Sequence, residues 1–275
     1  MIKKLISASA LLMLATTISA QQYITFDFGG GINNVSFDPG SNGTKKVGAG
    51  IATQIGYRYF FNDNWGAGIG VGFNTLSDKA TLTFNHNEQN GTDPTILTEH
   101  KERNYLTEYN SVEEKVKAST IDIPIGAYYN YAINDKWSLN AGVNLVVSIL
   151  AGKKFESKAG IVNVSAELPY YNVVMTDLPQ HNLSTYSDFD GTPDFKSVSI
   201  GIGGECKAYY ALNDKIDLSI GIGGVYRFSD IQNQKLEKLF NPDTHEYVGI
   251  TQTSLCSGVK LISFTGTVGI RYHLF

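Results

Sequence analysis

The chain has 275 residues, with 28 glycines, only 7 prolines, a 12% aromatic share carried mostly by Tyr and Phe, and a net charge of −4. That length allows one large domain or two modest ones, and a glycine-rich, aromatic-rich, proline-poor composition favours strands over helices. The mild charge, with no basic stripe interleaved with aromatics, excludes a nucleic-acid partner.

The first residues read as a targeting segment. Lys3 and Lys4 form a positive start, Leu5 to Thr17 an apolar run, and Ile18-Ser19-Ala20 ends in the small residue a signal peptidase requires. The pattern predicts a cleaved signal peptide at 1–20 and a single β domain over 21–275. Beyond Gln21 no run approaches the roughly 20 apolar residues of a spanning helix, which leaves a secreted soluble protein or a barrel that crosses a membrane with strands.

Eight strands follow in order: Tyr23 to Ser36, Val47 to Phe61, Trp65 to Leu76, Thr120 to Ala132, Trp137 to Ala151, Ser197 to Ala211, Ile216 to Phe228 and Val259 to Phe275. Asn62-Asp63-Asn64, Asn134-Asp135-Lys136 and Asn213-Asp214-Lys215 separate the second from the third, the fourth from the fifth and the sixth from the seventh. Asn and Asp suit the tight turns of β-hairpins. Every other connection is a long polar excursion. Short turns thus gather at one end and long loops at the other, which makes the strand number even.

Alternation assigns the faces. The third strand sets Trp65, Ala67, Ile69, Val71 and Phe73 against Gly66, Gly68, Gly70 and Gly72, and the fifth sets Leu139, Val143, Leu145 and Val147 against Asn140, Gly142, Asn144 and Ser148. A soluble barrel would bury the large apolar residues and show Lys and Glu outside. Here the second face is glycine with Ser and Asn, and glycine weakens a solvated strand. In a narrow interior it makes room for large polar neighbours. The apolar face is therefore assigned to lipid and the glycine face to a lumen. Tyr57, Tyr59, Trp65, Tyr129, Tyr131, Trp137, Tyr210 and Tyr272 fall on the apolar face near the short-turn end, where an interfacial aromatic girdle belongs.

The lumen face carries Asp27, Arg58, Asp122, Glu205, Lys207, Asp217, Arg227 and Arg271. Isolated buried charges are costly, so pairing is expected. Counted from the short-turn end, Asp27 and Arg271 come at similar heights on the first and last strands, which predicts an ion pair across the closing seam. Asp122 and Arg227 lie higher and are placed to meet across the lumen. Cys206 falls in a strand and Cys256 in a loop, a separation that speaks against a disulfide.

These features resemble the small eight-stranded outer-membrane barrels: the outer membrane protein beta-barrel domain family, similar to the OmpA transmembrane domain, OmpX and OmpW. The end of the chain, Thr267-x-Gly269-x-x-Tyr272-x-Leu274-Phe275, looks like the signal read by the barrel-assembly machinery, although Phe275 stands one step outside the phase of Tyr272 and Leu274. The resemblance implies an all-β, up-and-down antiparallel transmembrane barrel, integral to a Gram-negative outer membrane with its termini in the periplasm. It would be assembled by that machinery and surrounded by outer-membrane lipid and lipopolysaccharide, with no cofactor.

Chemical motifs are sparse. The glycine runs at 66–70, 201–204 and 221–224 lie inside strands and not between a strand and a helix, so they are not phosphate loops. Asp188, Asp190 and Asp194, around Gly191 in the third long loop, form a weak calcium candidate. The five histidines are scattered and no zinc spacing occurs. Ala80 to Phe84 is placed to carry the third and fourth strands beyond the membrane, within a strongly charged second loop. The expected role is non-enzymatic, structural or surface-interacting through long extracellular loops, with a lumen plugged by paired charges. The alternative is a narrow porin-like conduit for a small solute, apolar solutes included. A lipid-A-modifying enzyme, for which His245 beside Glu246 offers the nearest acid-base pair, ranks third.

Overall fold

A computed structural model of the chain describes residues 21–92, 102–242 and 244–274. The expected signal segment, the centre of the second loop and Phe275 lie outside the described residues. Eight long strands close into a ring: β1 (Gln21–Asp38), β2 (Gly50–Phe60), β3 (Trp65–Thr92), β4 (Glu102–Ala132), β5 (Trp137–Ser157), β6 (Val198–Asn213), β7 (Ile216–Arg227) and β8 (Ser257–His273). Each pairs antiparallel with its sequence neighbours, and β1 closes on β8 from Tyr23 opposite His273 to Asp38 opposite Ser257. Within the apolar band closure leaves no free edge, which a membrane demands because no water is there to satisfy one.

The three short turns share one device. Asn62 Oδ1 accepts the backbone N–H groups of Asn64 at 2.9 Å and Trp65 at 2.7 Å. Asn134 does the same for Lys136 and Trp137, both at 2.9 Å, and Asn213 for Lys215 at 2.9 Å and Ile216 at 3.0 Å. None of these turn residues has a positive φ. The asparagine is therefore used for its side-chain acceptor, which closes the turn where a backbone carbonyl would otherwise be needed.

Around the ring the odd residues of β3 and β4 turn outward, leaving Trp65, Ile69, Val71, Phe73, Ile121 and Ile125 exposed. An apolar surface that encircles a barrel is unstable against water and is what hydrocarbon solvates. The eight girdle aromatics sit on this outer face; Trp65 packs edge-on to Tyr129 and Trp137 against Tyr210, each with ring centroids 5.0 Å apart. Glycines on the inner face leave space for neighbouring side chains. A Cβ on Gly142 would lie 2.6 Å from the Tyr128 ring, and one on Gly221 would lie 2.5 Å from Lys207 Cγ.

Three expectations about elements need correction. The second strand is broken: Gly43–Val47 pairs with β3 as a separate piece before β2 begins at Gly50. The last strand ends at His273, with Leu274 still donating to the Gln22 carbonyl at 2.9 Å in the register of the ladder. The third and fourth strands overrun the bounds at Leu76 and Thr120, and they continue past the membrane through Ala80 to Phe84 as the sequence indicates. β3 and β4 are 28 and 31 residues long, far beyond the roughly 9–11 that a tilted strand needs to span a bilayer. Their projecting halves stay paired, and Ile161–Leu168 adds to the edge of β4.

Beyond the apolar band the chemistry of the two faces inverts. The even face of β3, glycine within the band, becomes Leu76, Ala80 and Leu82, all buried, with the equally buried Asp78 among them paired to Lys45 at 2.7 Å. On β4 it becomes Ala118, Val116 and Val112, likewise buried. The odd face becomes Ser77, Lys79, Lys115 and Lys117. A bulge on β5 opposite the Ser119/Thr120 step switches that strand's phase at the same level, so that Phe155 points inward. Above this level the protein is built like a water-soluble one, with an apolar core that Phe195, Leu239, Phe240 and Ile250 from the later loops complete.

Candidate functional site

The lumen is filled in layers. Nearest the short turns, Arg271 Nε donates to Asp217 Oδ2 at 2.6 Å, His273 Nε2 lies 2.8 Å from the same oxygen, and the Arg271 guanidinium stacks 3.9 Å from the Tyr209 ring and 4.7 Å from Tyr23. The next layer joins four charges. Arg58 pairs with Glu205, Lys207 Nζ meets Asp27 at 2.7 Å and Glu205 at 3.2 Å, and Arg58 also donates to Asn140 at 2.9 Å and Tyr209 at 3.1 Å. Arg58 Cζ lies over the Tyr128 ring, 4.2 Å from its centroid. Higher up, Arg227 is fully buried and satisfied on every side: Asp122 at 2.5 Å, Ser148 at 2.6 Å and Ser263 at 3.2 Å. Asn74 donates to the same Asp122 oxygen. Between these layers remains a void of about 80 Å³, lined by Asp27, Gln54, Asn144, Glu205 and Thr265 among others.

All eight predicted lumen charges therefore point inward, and all are paired. Asp122 and Arg227 meet. Asp27 and Arg271 do not, and the expected seam pair is replaced by Asp27–Lys207 and Arg271–Asp217. The register explains it. Arg271 stands opposite Asp217 on β7 and Thr25 on β1, whereas Asp27 stands opposite Gly269. Gly269 is bare there, and a Cβ would fall 2.6 Å from Asp27 Oδ1. A neighbour directly across the ladder wins over one two residues away. Thr267 and Gly269 of the terminal motif face the lumen, and Tyr272 faces outward. Of four inward aromatics, Phe60 falls on the glycine face as the alternation of the second strand predicts, whereas Tyr23, Tyr128 and Tyr209 were not anticipated. For Tyr128 the signal was present, since it too falls in the phase of the glycine face.

At the long-loop end, one carboxylate stands apart. Glu114 lies in the inward phase between Val112 and Val116 and is fully buried in the apolar core. Tyr247 Oη donates to it at 2.6 Å and the Ile250 backbone N–H at 2.9 Å, both from the loop between β7 and β8. Burial, only partly offset by these two donors, pushes its carboxyl up to about 7. Burial and the neighbouring Glu114 raise Tyr247 well above the usual phenol range, and burial raises the Cys256 thiol to about 12. Cys206, on the outer face of β6, and Cys256 are both free. The calcium candidate does not assemble. Asp194 is held by Asn233 at 2.9 Å, Asp190 lies 3.9 Å from Lys154, and among the described residues no three metal-ligating side chains converge. His245 lies 2.9 Å from Asn182 Oδ1 and packs on Tyr186.

The family model for the outer membrane protein beta-barrel domain matches residues 7–247. The chain belongs to this family. It is accordingly an integral protein of the outer membrane, and the outward apolar band is its lipid-facing surface. Among solved structures it is similar to Neisserial surface protein A, at 14% identity over 92% of this chain and 98% of that one with a TM-score of 0.39. It is also similar to Ail, the attachment invasion locus protein of Yersinia pestis (12% identity, 94% and 100%, TM-score 0.36), and to OprG from Pseudomonas aeruginosa (10% identity, 94% and 98%, TM-score 0.36). No curated protein sequence matches the chain.

Proposed function

We propose that the protein is a non-enzymatic outer-membrane barrel whose role, structural or surface-interacting, is exerted by the folded domain at its long-loop end. The observation that carries this reading is the apolar core above the band. Disordered shielding loops have no use for a buried core, whereas a domain that presents a fixed surface does. In this reading residues 1–20 direct export, the short turns face the periplasm, the terminal motif serves the assembly machinery and the long-loop domain faces outward beside lipopolysaccharide. The paired charges keep the lumen shut. A void of about 80 Å³ has room for a few waters, and the Asp122–Arg227 layer closes it above while the Arg58–Glu205 layer closes it below.

Two measurements test this. In planar bilayers the purified protein is expected to show no steady conductance; large, stable open channels would overturn the plug and favour the conduit. On intact cells a membrane-impermeant amine reagent is expected to label Lys158 at the long-loop end, sparing Lys136 and Lys215 in the short turns until the cells are lysed. Labelling of the turn lysines first would reverse the orientation.

A further inference from the structure

Just above the apolar band, the outer surface of four neighbouring strand segments is crowded with lysine. Lys46, on the short piece before β2, stands directly opposite Lys79 on β3; Lys79 stands opposite Lys115 on β4; Lys117 on β4 stands opposite Lys154 on β5. Like charges in directly opposed positions destabilise a sheet, and here three such pairs share one patch. Lys158 adds a sixth lysine. The acids here are Glu113 with Lys79, Glu156 with Lys117 and Lys154, Asp190 near Lys154, and Asp78, which lines the depression and is neutralised by a further lysine, Lys45, at 2.7 Å; six lysines against the first three acids leave positive charge in excess.

The patch is concave. Two adjoining depressions, of about 550 and 360 Å³, share Ala49, Ser77 and Lys115. Gly48 lines the first and Gly152 the second. Outside the depression, Lys196, next to β5, is tied to the Asp230 carbonyl at 3.0 Å, and Lys260, on β8, to the Tyr226 hydroxyl at 3.0 Å. Directly below run Phe73, Ile121 and Ile149, all exposed on the lipid-facing surface. Four residues separate Ile121 from Lys117, about 13 Å along a strand, which places the ammonium groups at headgroup level, with stems long enough to reach back toward the bilayer.

We propose that this depression is a binding site for the phosphate groups of a membrane lipid headgroup, with the acyl chains lying along Phe73, Ile121 and Ile149. Phosphate fits because it brings strong acceptor oxygens and more than one negative charge to lysines that otherwise repel one another. Continuity with the lipid-facing strip selects a lipid over a free anion. The inference rests on the membrane location alone and stands whether or not the surface role proposed above is right.

Native mass spectrometry of the folded protein in zwitterionic micelles provides the test, with diphosphorylated lipid A, its dephosphorylated form and phosphatidylcholine as probes. The wild type is expected to retain the diphosphorylated lipid at least about tenfold more strongly than the other two. The triple variant Lys115→Gln/Lys117→Gln/Lys154→Gln should lose that preference, and Lys196→Gln/Lys260→Gln, outside the depression, should keep it. Equal retention by wild type and triple variant, or of all three lipids, would overturn the proposal. So would full displacement of the lipid by millimolar inorganic phosphate, which would mark a free-anion site. Heat-modifiable migration reports folding. If the triple variant does not fold, single Lys→Gln changes at 115 and 117 and the rescue Lys117→Arg carry the same test.

Discussion

Glu114 makes the long-loop domain sensitive to pH, and the sign follows from its surroundings. Its carboxyl titrates near 4.5 when exposed and near 7 when folded. The folded state therefore prefers the protonated form, so the stabilisation is fully present below pH 4.5 and is lost as pH rises through 7. The difference corresponds to about 3 kcal/mol, or about 300-fold in the opening equilibrium. Cys256 is a built-in reporter because it is buried in the same core. In a Cys206→Ala background, the rate at which a thiol reagent labels Cys256 measures opening of this domain. Comparing wild type with Glu114→Gln at each pH cancels the intrinsic reactivity of the exposed thiol. Between pH 5 and 8 the wild-type rate, divided by the variant's, should climb by about two orders of magnitude. Glutamine keeps a carbonyl to accept one of the two donors but cannot ionise. A flat ratio over that range would show that Glu114 does not carry its charge into the core, and the reasoning would fail.

Three further outcomes are expected. Arg227→Met strands Asp122 in the lumen and should cost about 3–5 kcal/mol in urea unfolding followed by Trp65 and Trp137 fluorescence. Adding Asp122→Asn should recover part of that loss, and strict additivity would argue against direct coupling. Gly142→Leu drives a side chain into the Tyr128 ring and should cost about 1–3 kcal/mol in the same assay, relieved by Tyr128→Ala; equal loss in both backgrounds would place the clash elsewhere. Asn134→Ala removes two turn hydrogen bonds and should cost about 1 kcal/mol, with refolding into vesicles monitored on gels, while Asp135→Ala should be nearly silent.

The membrane half of the protein was legible because lipid and lumen impose opposite chemistries on alternate residues. The run from Trp65 to Phe73 displays both at once, and the three asparagine turns mark where it stops. The lumen partners were only partly legible. Counting residues from one end gives heights along a strand, but the partner of Asp27 depends on how strands stagger round the ring, and that offset brings Lys207 to it. The long-loop core was hidden for a different reason. Leu76, Val112, Val162 and Ile250 are scattered among charges across sequence-distant segments, and the phase of each shows only once β3 and β4 are seen to run on past the bilayer. Glu114 looked like one more loop carboxylate for the same reason.

The inversion of face chemistry along β3, β4 and β5 also sets how deep the molecule floats. Sinking by one pleat would carry the outward lysines toward hydrocarbon, where each costs up to about 2–4 kcal/mol depending on depth. Rising by one pleat would wet Phe73, Ile121 and Ile149, at roughly 1.5–3 kcal/mol for each side chain fully exposed. Both displacements are uphill, so the strands work as a depth gauge that fixes the immersion of the barrel. Anything borne by the domain above, whether a native binding surface or a grafted epitope, is thereby held at a constant height over the headgroups.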